Sequence, residues 1–194
     1  MKNSFEEKKE KLYITYDRFE RENMPYSRQA FCKPGCSFCC TFMGNIDIVT
    51  LEGLIILEHI RSQSEELRSV LIKNISENMT AKEKGLKPPC PFLKENSTCH
   101  IYAIRPFSCR QLYSIQKCGD SGPVAHRQAV ESARSTVREL QQLDDTGYSG
   151  HISYILQLLE DAGFRKLYLS GGFAPERIVK FGKTHGLVIN RSAK

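Results

Sequence analysis

Residues 31–40 read Phe-Cys-Lys-Pro-Gly-Cys-Ser-Phe-Cys-Cys, so that four of the eight cysteines of the chain lie within ten residues. The other four follow in one later segment, at Cys90, Cys99, Cys109 and Cys118. We call these segments strip 1 (residues 31–40) and strip 2 (residues 90–118). A closed thiolate metal centre needs four ligands, and strip 1 alone offers at most three that are well placed. The sequence therefore predicts that tertiary folding brings the two strips together around metal.

The spacing within strip 1 suits metal chemistry. Short Cys-x3-Cys and Cys-x2-Cys intervals let one turn supply several thiolates at small entropic cost, and they occur at Cys32, Cys36 and Cys39. Pro34-Gly35 favours a tight backbone that turns amide N–H groups toward sulfur. Cys40 adjoins Cys39, so that their side chains diverge and are not expected to bind one ion. Eight cysteines then provide either two four-thiolate centres or one centre with reserve cysteines, and the spacing leaves both open.

The composition indicates a cytoplasmic protein. A chain of 194 residues suits one domain with a sizeable core. The charged N-terminus lacks the apolar region of a secretory signal, which predicts a reducing compartment and cysteines that are not in disulfides. The longest apolar run, near residues 54–57, is far shorter than the ~20 residues of a membrane-spanning helix. No membrane association is expected.

The charge balance does not point to nucleic acid. The formal net charge is +6, from 28 Lys and Arg against 22 Asp and Glu. Cysteines that bind metal are deprotonated, so that each four-thiolate site offsets much of this excess. No recognisable nucleic-acid-binding motif accompanies the basic residues. The sequence identifies no protein or small-molecule partner and leaves the oligomeric state open.

The first part of the chain has helical signals around strip 1. Ser4-x-x-Glu7 is a capping box that predicts a helix from about residue 5 to 22, ended by Pro25, and residues 26–40 are predicted to be loop. The apolar face of this helix is predicted at Leu12, Tyr16 and Phe19. A short extended piece is expected at residues 46–48, followed by a helix capped by Thr50.

Further helices are expected on both sides of strip 2. Ser64 with two following glutamates opens one, and Gly85 ends it. Apolar residues at helical spacing predict two more, from residue 130 to 140 and from residue 152 to an end at Gly163. Pro175 suits the first turn of a short final helix through Phe181.

The predicted fold is mainly α: a helical domain with irregular cysteine-rich metal-binding loops and at most a small strand element. We expect an N-terminal helical segment over residues 1–30, a cysteine-cluster metal-binding domain over 31–118, and a C-terminal helical extension over 119–194 that packs on the same body.

The cysteine pattern resembles a known family. Its motifs are Phe31-Cys32-x3-Cys36-x2-Cys39-Cys40, Cys90-Pro91-Phe92-Leu93 and Cys99-His100-Ile101-Tyr102-x-x-Arg105-Pro106-x-x-Cys109-Arg110. In this order they resemble the CxxCxxCC, or YkgJ-like, cysteine-cluster family of zinc- or iron-chelating domains. The resemblance covers residues 31–118 and implies metal or iron–sulfur binding. Bacterial flagellin lysine methylases carry a similar cluster, which implies by analogy a role in protein modification.

Four further residues are candidates for supporting the metal. Arg105 and Arg110 flank Cys109 and could donate to anionic sulfur or to the nearby backbone, with an ordinary ion pair as the alternative. His100, beside Cys99, is expected to lie behind the ligands or to be exposed. Tyr102 is expected to pack around the site.

Three functions remain open from the sequence. The first is a metal-binding protein that holds an iron–sulfur cluster, with the four-iron form favoured, or zinc, for redox, sensing or metal handling. The second is a metal-dependent modification enzyme, because Cys32-x3-Cys36-x2-Cys39 also fits the three-cysteine motif of radical S-adenosylmethionine enzymes. Those enzymes place the motif after the first strand of a β/α barrel, and no strand–helix alternation follows here. The third is a zinc-stapled interaction module, although the 49 residues between Cys40 and Cys90 exceed ordinary zinc-finger spacing.

Overall fold

The structure, a computed structural model, describes residues 4–120 and 122–186, and these form nine α-helices and one small sheet. The helices are α1 (Phe5–Ser27), α2 (Phe38–Phe42), α3 (Thr50–Arg61), α4 (Glu65–Glu83), α5 (Phe107–Arg110), α6 (Arg127–Leu143), α7 (Ile152–Glu160), α8 (Ala162–Leu169) and α9 (Pro175–His185). A 3-10 helix covers Tyr102–Ile104. The sheet pairs β1 (Asp47–Val49) with β2 (Ser149–His151) in antiparallel register. The predicted mainly helical class, with only a small strand element, is confirmed.

Helix α1 begins as predicted and ends later than predicted. The Ser4 hydroxyl accepts from the Glu7 N–H, and the Glu7 carboxylate accepts from the Ser4 N–H, which completes the capping box. The predicted end at Pro25 is wrong, because the helix continues to Ser27. Proline removes one hydrogen bond, but the buried Asn23 amide ties this turn to Phe19 and to Ser132 of α6, at 2.9 and 3.0 Å.

The two strands join distant parts of the chain. Ile48 pairs with Gly150, so the segment before α3 is held beside the segment before α7. Thr50 does not cap α3 as predicted but is its first residue, and its hydroxyl donates to the Tyr148 carbonyl and accepts from the Tyr148 N–H. The Glu52 carboxylate receives the Val49 N–H at 2.9 Å instead. The start of α3 is therefore fixed by tertiary contacts.

The main core lies among α3, α4 and α7. It is built on residues such as Leu54, Leu71 and Ile155, and the beginning of strip 2 packs onto it through the fully buried Phe92. A second core joins α1 to α6 through Leu12 and Leu140. Burial of this apolar surface stabilises the body without any contribution from metal.

Two predicted helix ends have different outcomes. Gly85 follows α4 with φ +75°, a backbone conformation that glycine adopts without strain, and this prediction is confirmed. The predicted end at Gly163 is wrong, because α7 ends at Glu160 and Gly163 lies inside α8. Asp161 caps α8 by accepting the Phe164 N–H at 3.0 Å, so a side-chain cap begins a new helix where glycine suggested only an end. Pro175 begins α9 as predicted, and this helix extends to His185.

Gly53 is required for the close approach of α3 and α7. A Cβ atom there would lie 2.8 Å from Ile155 Cγ2 and 2.9 Å from Leu159 Cδ1. We therefore expect Gly53→Ala to lower the free energy of unfolding by roughly 1–3 kcal/mol, because overpacking outweighs the better helix propensity of alanine. Urea denaturation measures this. Gly119→Ala, whose added Cβ would meet no atom within 4 Å, is the control, and equal stabilities would contradict the expectation.

In the described residues, no helix is both long and apolar enough to cross a membrane.

Candidate metal centre

Strip 1 ends in a helix. The prediction that residues 26–40 are loop is wrong at both ends, because α1 reaches Ser27 and α2 contains Cys39 and Cys40. Phe38 and Phe42 stack on one side of α2 with ring centroids 4.7 Å apart. Neighbouring residues in an α-helix project about 100° apart. The helix therefore sends Cys39 and Cys40 toward different surroundings.

A tight hairpin brings two cysteines of strip 2 together. Leu93 and Cys99 form an isolated antiparallel β-bridge, and the Lys94 N–H donates to the Thr98 carbonyl at 2.8 Å. The Cys90 carbonyl accepts from the Leu93 N–H at 3.1 Å, so the chain turns directly after Cys90. The hairpin carries Cys90 and Cys99 to the surface of the main core, where both thiols contact buried apolar residues.

The third cysteine of this region, Cys109, lies in α5, which is anchored from two directions. Phe107 is 2% exposed and packs edge-on against Phe19 of α1, with ring centroids 4.7 Å apart. The Phe107 N–H donates to the buried Glu52 carboxylate at 2.7 Å, and the Ser108 hydroxyl donates to the Asp47 carbonyl. The position of Cys109 therefore depends on α1, on β1 and on the start of α3.

The two strips meet through backbone hydrogen bonds. The Cys90 N–H donates to the Cys40 carbonyl at 2.7 Å, and the Phe31 N–H donates to the Ser114 carbonyl at 2.6 Å. The first bond joins the end of strip 1 to the start of strip 2, and the second joins the start of strip 1 to the later part of strip 2. The strips are therefore neighbours, as predicted.

Four thiols form what we call the inner group: Cys40, Cys90, Cys99 and Cys109. Burial, together with the charges of Cys40 and Cys99, raises the pKa of Cys90 to about 12. Burial also raises the pKa of Cys109 well above its usual value, with additional contributions from Cys90, Cys40 and Cys99. These mutual effects mean that the four sulfurs share one neighbourhood, in which thiolates need a cation to persist.

The remaining four thiols form the outer group: Cys32, Cys36, Cys39 and Cys118. The pKa of Cys39 is raised to about 11, first by burial and then by the charges of four nearby thiols, which are those of Cys118, Cys32, Cys40 and Cys36. Cys32 and Cys36 are exposed, whereas Cys39 and Cys118 are partly buried. Each group thus contains cysteines from both strips.

Neither group surrounds a single point. In residues 4–120 and 122–186, no three Cys, His, Asp or Glu side chains are already arranged as ligands of one ion. A mononuclear zinc site would need each group to contract, because zinc holds four sulfurs at about 2.3 Å from one atom. The donor set itself, four thiols from several chain segments, fits either zinc or an iron–sulfur cluster.

Backbone N–H groups already point at two inner sulfurs. The amides of Phe92 and Leu93 hydrogen-bond to the Cys90 thiol, and the amide of Ile101 hydrogen-bonds to the Cys99 thiol; both interactions lower the thiol pKa and so oppose the effect of burial. Such donors stabilise metal-bound thiolate charge and tune the potentials of iron–sulfur centres. This geometry follows from the hairpin, and a merely buried cysteine does not require it.

The two predicted arginines contact the backbone of strip 2. The Arg110 Nε donates to the Arg105 carbonyl at 2.9 Å, and its Nη1 pairs with Glu20 at 2.7 Å. The Arg105 Nη1 donates to the Tyr102 carbonyl at 3.3 Å. Burial raises the pKa of Cys99, and the charge of Arg105 partly offsets this. Arg105 therefore lies near the inner group electrostatically, whereas Arg110 braces the turn before α5 against α1.

The two other predicted supporting residues follow Cys99 within strip 2. Tyr102 is 64% exposed, and the Arg105 guanidinium stacks 4.4 Å above its ring. His100 is partly buried, its N–H donates to the Phe92 carbonyl at 2.9 Å, and burial and Lys94 lower its pKa. That Tyr102 and His100 support a bound metal stays a prediction.

Glu52 and Lys94 lie at the candidate site but were not among the predicted residues. Glu52 is buried, accepts hydrogen bonds from Tyr16, Val49 and Phe107, and its charge raises the pKa of Cys109. A single acid in the apolar run Leu51–Leu57 was the available signal, because buried carboxylates are rare unless they are hydrogen-bonded. Lys94 lowers the pKa of Cys99 through its charge, and nothing in its sequence context marks it.

Comparison with known proteins agrees with the cysteine pattern. The family model CxxCxxCC, described as "Putative zinc- or iron-chelating domain", matches residues 31–140. The match covers both strips and continues beyond Cys118 into α6. No curated protein and no solved structure matches the chain. Because the family model spans more than half of the sequence, the chain belongs to the CxxCxxCC family of zinc- or iron-chelating domains.

Proposed function

We propose that the protein holds an iron–sulfur cluster, of the four-iron type, at the inner group and uses it for redox or metal handling in the cytoplasm. The observation that carries this proposal is the convergence of four thiols from α2, the strip 2 hairpin and α5 over the main core, with amide donors on Cys90 and Cys99. Membership of a zinc- or iron-chelating family supports metal binding of this kind.

A cluster suits the inner group better than a single zinc ion. Its four sulfurs influence one another electrostatically, yet they do not surround one point. A cluster has several metal atoms, so that its cysteine ligands lie farther apart than those of one tetrahedral ion. When bound, it would supply one-electron chemistry, and Arg105, Lys94 and the amide donors would offset its negative charge.

The radical S-adenosylmethionine interpretation has less support. Those enzymes carry the three-cysteine motif after the first strand of a β/α barrel. In the described part of the chain, the sheet has two antiparallel strands and neither leads into the motif. Cys118 also lies beside Cys39, where a fourth thiolate would occupy the coordination position that substrate needs.

The test is anaerobic reconstitution with iron and sulfide. We expect about four iron atoms and four sulfide ions per chain, with absorption at about 400 nm. Cys90→Ser should lose most of this absorption, because its sulfur is central to the inner group. Cys36→Ser, which changes an exposed cysteine of the outer group, is the matched control and should retain it. A colourless protein that binds only zinc would favour the zinc alternative, and loss in Cys36→Ser but not in Cys90→Ser would refute the assignment.

A further inference from the structure

We propose that an exposed apolar surface beside the cysteines is the docking surface for a small acidic electron-carrier protein. This surface, which we call the docking face, consists of Phe42, Met43 and Leu86, and these side chains are 67%, 38% and 60% exposed. The choice of an electron carrier rests on the proposed function, because a redox centre needs a partner that exchanges electrons with it. The docking face itself is defined by its own contacts and charges.

Two chain segments that lie side by side build the docking face. The Cys90 N–H donates to the Cys40 carbonyl at 2.7 Å. Farther along, a Cβ atom at Gly44 would lie 3.8 Å from the Lys87 Cβ. The segment that leaves α2 therefore runs antiparallel to the segment that leads into strip 2. This arrangement brings Leu86 next to the end of α2.

The end of α4 holds both segments in place. The Lys82 ammonium donates to the Gly44 carbonyl and, at 3.0 Å, to the Asn45 side-chain oxygen. The Leu86 N–H donates to the Ala81 carbonyl at 3.0 Å, which fixes the turn after α4. The docking face is thus positioned by a helix of the main core.

The helix α2 places the docking face close to the cysteines. The Phe42 ring stacks on Phe38 with ring centroids 4.7 Å apart and leaves most of its surface open. Phe42 lies two residues after Cys40 in the same helix, a rise of about 3 Å along the helix axis. A protein bound to Phe42 would therefore lie against the helix that presents two of the eight thiols.

The rim of the docking face is basic. Residues 31–46 and 84–94 contain no Asp or Glu and four lysines, which are Lys33, Lys84, Lys87 and Lys94. Lys84 and Lys87 are exposed on either side of Leu86 in the sequence. An apolar centre with positive charge around it is complementary to a partner whose own apolar contact is surrounded by carboxylates.

Two acids near the docking face do not cancel this charge. The Glu83 carboxylate contacts the His185 Nδ1. Asp120 lies in the turn closed by Gly119 and Gly122, and a Cβ atom at Gly122 would be 3.9 Å from the Met43 sulfur. The lysines still outnumber these acids. The positive charge attracts an acidic protein and repels a second copy of this chain.

A protein fits the docking face better than a membrane surface does. Helices that lie in a membrane surface have a long apolar side, whereas α2 has five residues. Phenylalanine and methionine are enriched at the centre of protein interfaces and lysine is depleted there, which is the distribution seen here. Complexes of electron carriers also use small interfaces, and three exposed apolar side chains match that class.

NMR titration of ¹⁵N-labelled flavodoxin, a small acidic protein that carries FMN, tests the proposal. The full chain is added in its zinc-loaded form, so that binding is measured without redox chemistry. We expect saturable line broadening with a Kd below about 1 mM. The Kd should rise at least about tenfold between roughly 50 and 300 mM NaCl, because salt screens the attraction between the two proteins.

Variants of the docking face separate its charge from its apolar centre. Lys84→Glu combined with Lys87→Glu should weaken binding at least about tenfold. Leu86→Ser should weaken it roughly fivefold, and the fold should tolerate this change because Leu86 is exposed and follows α4. Lys73→Glu and Val70→Ser are the matched controls, since both residues are exposed on α4, roughly 15–20 Å before its end. Both controls should bind like the parent protein.

Several results would overturn the docking face. These are no saturable broadening, equal weakening in the controls, or weakening in the lysine variant but not in Leu86→Ser, which would mean charge attraction alone. Tighter binding to vesicles with roughly 30% phosphatidylserine, lost in the same variants, would assign the surface to a membrane. Dimers of the chain that Leu86→Ser disrupts would assign it to a second copy. Failure of iron reconstitution would refute the proposed cluster and leave the flavodoxin result unchanged.

Discussion

Replacing Glu52 with alanine is expected to lower the free energy of unfolding by about 3–5 kcal/mol. The buried carboxylate accepts the Val49 N–H at 2.9 Å, the Phe107 N–H at 2.7 Å and the Tyr16 hydroxyl. Alanine leaves these three buried donors without an acceptor, and each costs about 1–3 kcal/mol. The same change frees the N-terminus of α5, so metal binding at Cys109 should weaken as well.

Urea denaturation of the metal-free protein measures this effect without a contribution from metal. Glu58→Ala is the matched control, because Glu58 lies on the same helix, is exposed and has only a 3.5 Å ion pair with Lys9. That variant should lose about 0–1 kcal/mol. Equal stability of the two variants would mean that the Glu52 contacts do not hold α5 to the body.

Glu52→Gln should change the pH dependence of stability as well. Burial raises the pKa of Glu52, and the hydrogen bonds it accepts only partly offset this. Such a carboxyl stabilises the fold fully below its unfolded pKa of about 4.3, and this contribution is lost as the pH rises through the folded pKa. The glutamine side chain cannot ionise, so the free energy of unfolding of the variant should fall less steeply as the pH rises above about 4.3. Asp144, whose pKa burial also raises, remains as a second contributor in both proteins.

Removing the metal is expected to open strip 2 while the helical body stays folded. The cores among α3, α4 and α7 and between α1 and α6 are built on aliphatic and aromatic residues. Their burial does not require metal. The hairpin at 93–99 and the chain around Cys118 are held mainly by backbone hydrogen bonds between residues close in sequence and, in the loaded protein, by bonds from thiolates to the metal. These two segments should therefore loosen when the metal is removed. Far-UV circular dichroism should therefore change by no more than roughly a tenth.

Limited trypsin digestion locates the opening. Lys94 and Lys117 lie in strip 2, and cleavage after them should accelerate by roughly tenfold on metal removal. Lys73 is exposed on α4 and is the internal control, because its backbone stays helical with or without metal. Lys33 and Lys87 give no information, since each precedes proline. Collapse of the helical signal, or equal acceleration at Lys73, would show that the body depends on the metal.

Local signals in the sequence predicted most of the helical elements. The capping box at Ser4, the stop at Gly85 and the start at Pro175 are interactions within one turn of chain, so residue identity and spacing are sufficient to find them. The failures at Pro25 and Thr50 share one cause. In each case a contact with a distant residue, Ser132 or Tyr148, outweighs the local preference.

The sequence by itself determined the family of this protein and named the eight cysteines as its candidate ligands, because thiol ligands are recognised by type and by short spacing and because the motif order is specific to one family. Only the tertiary structure decided which thiols of the two strips lie near one another. Their arrangement depends on α2, which turns Cys39 and Cys40 apart, and on the hairpin that joins Cys90 to Cys99. Sequence spacing cannot show this, because the thiols that share a neighbourhood are dozens of residues apart and are joined only by packing on a common core.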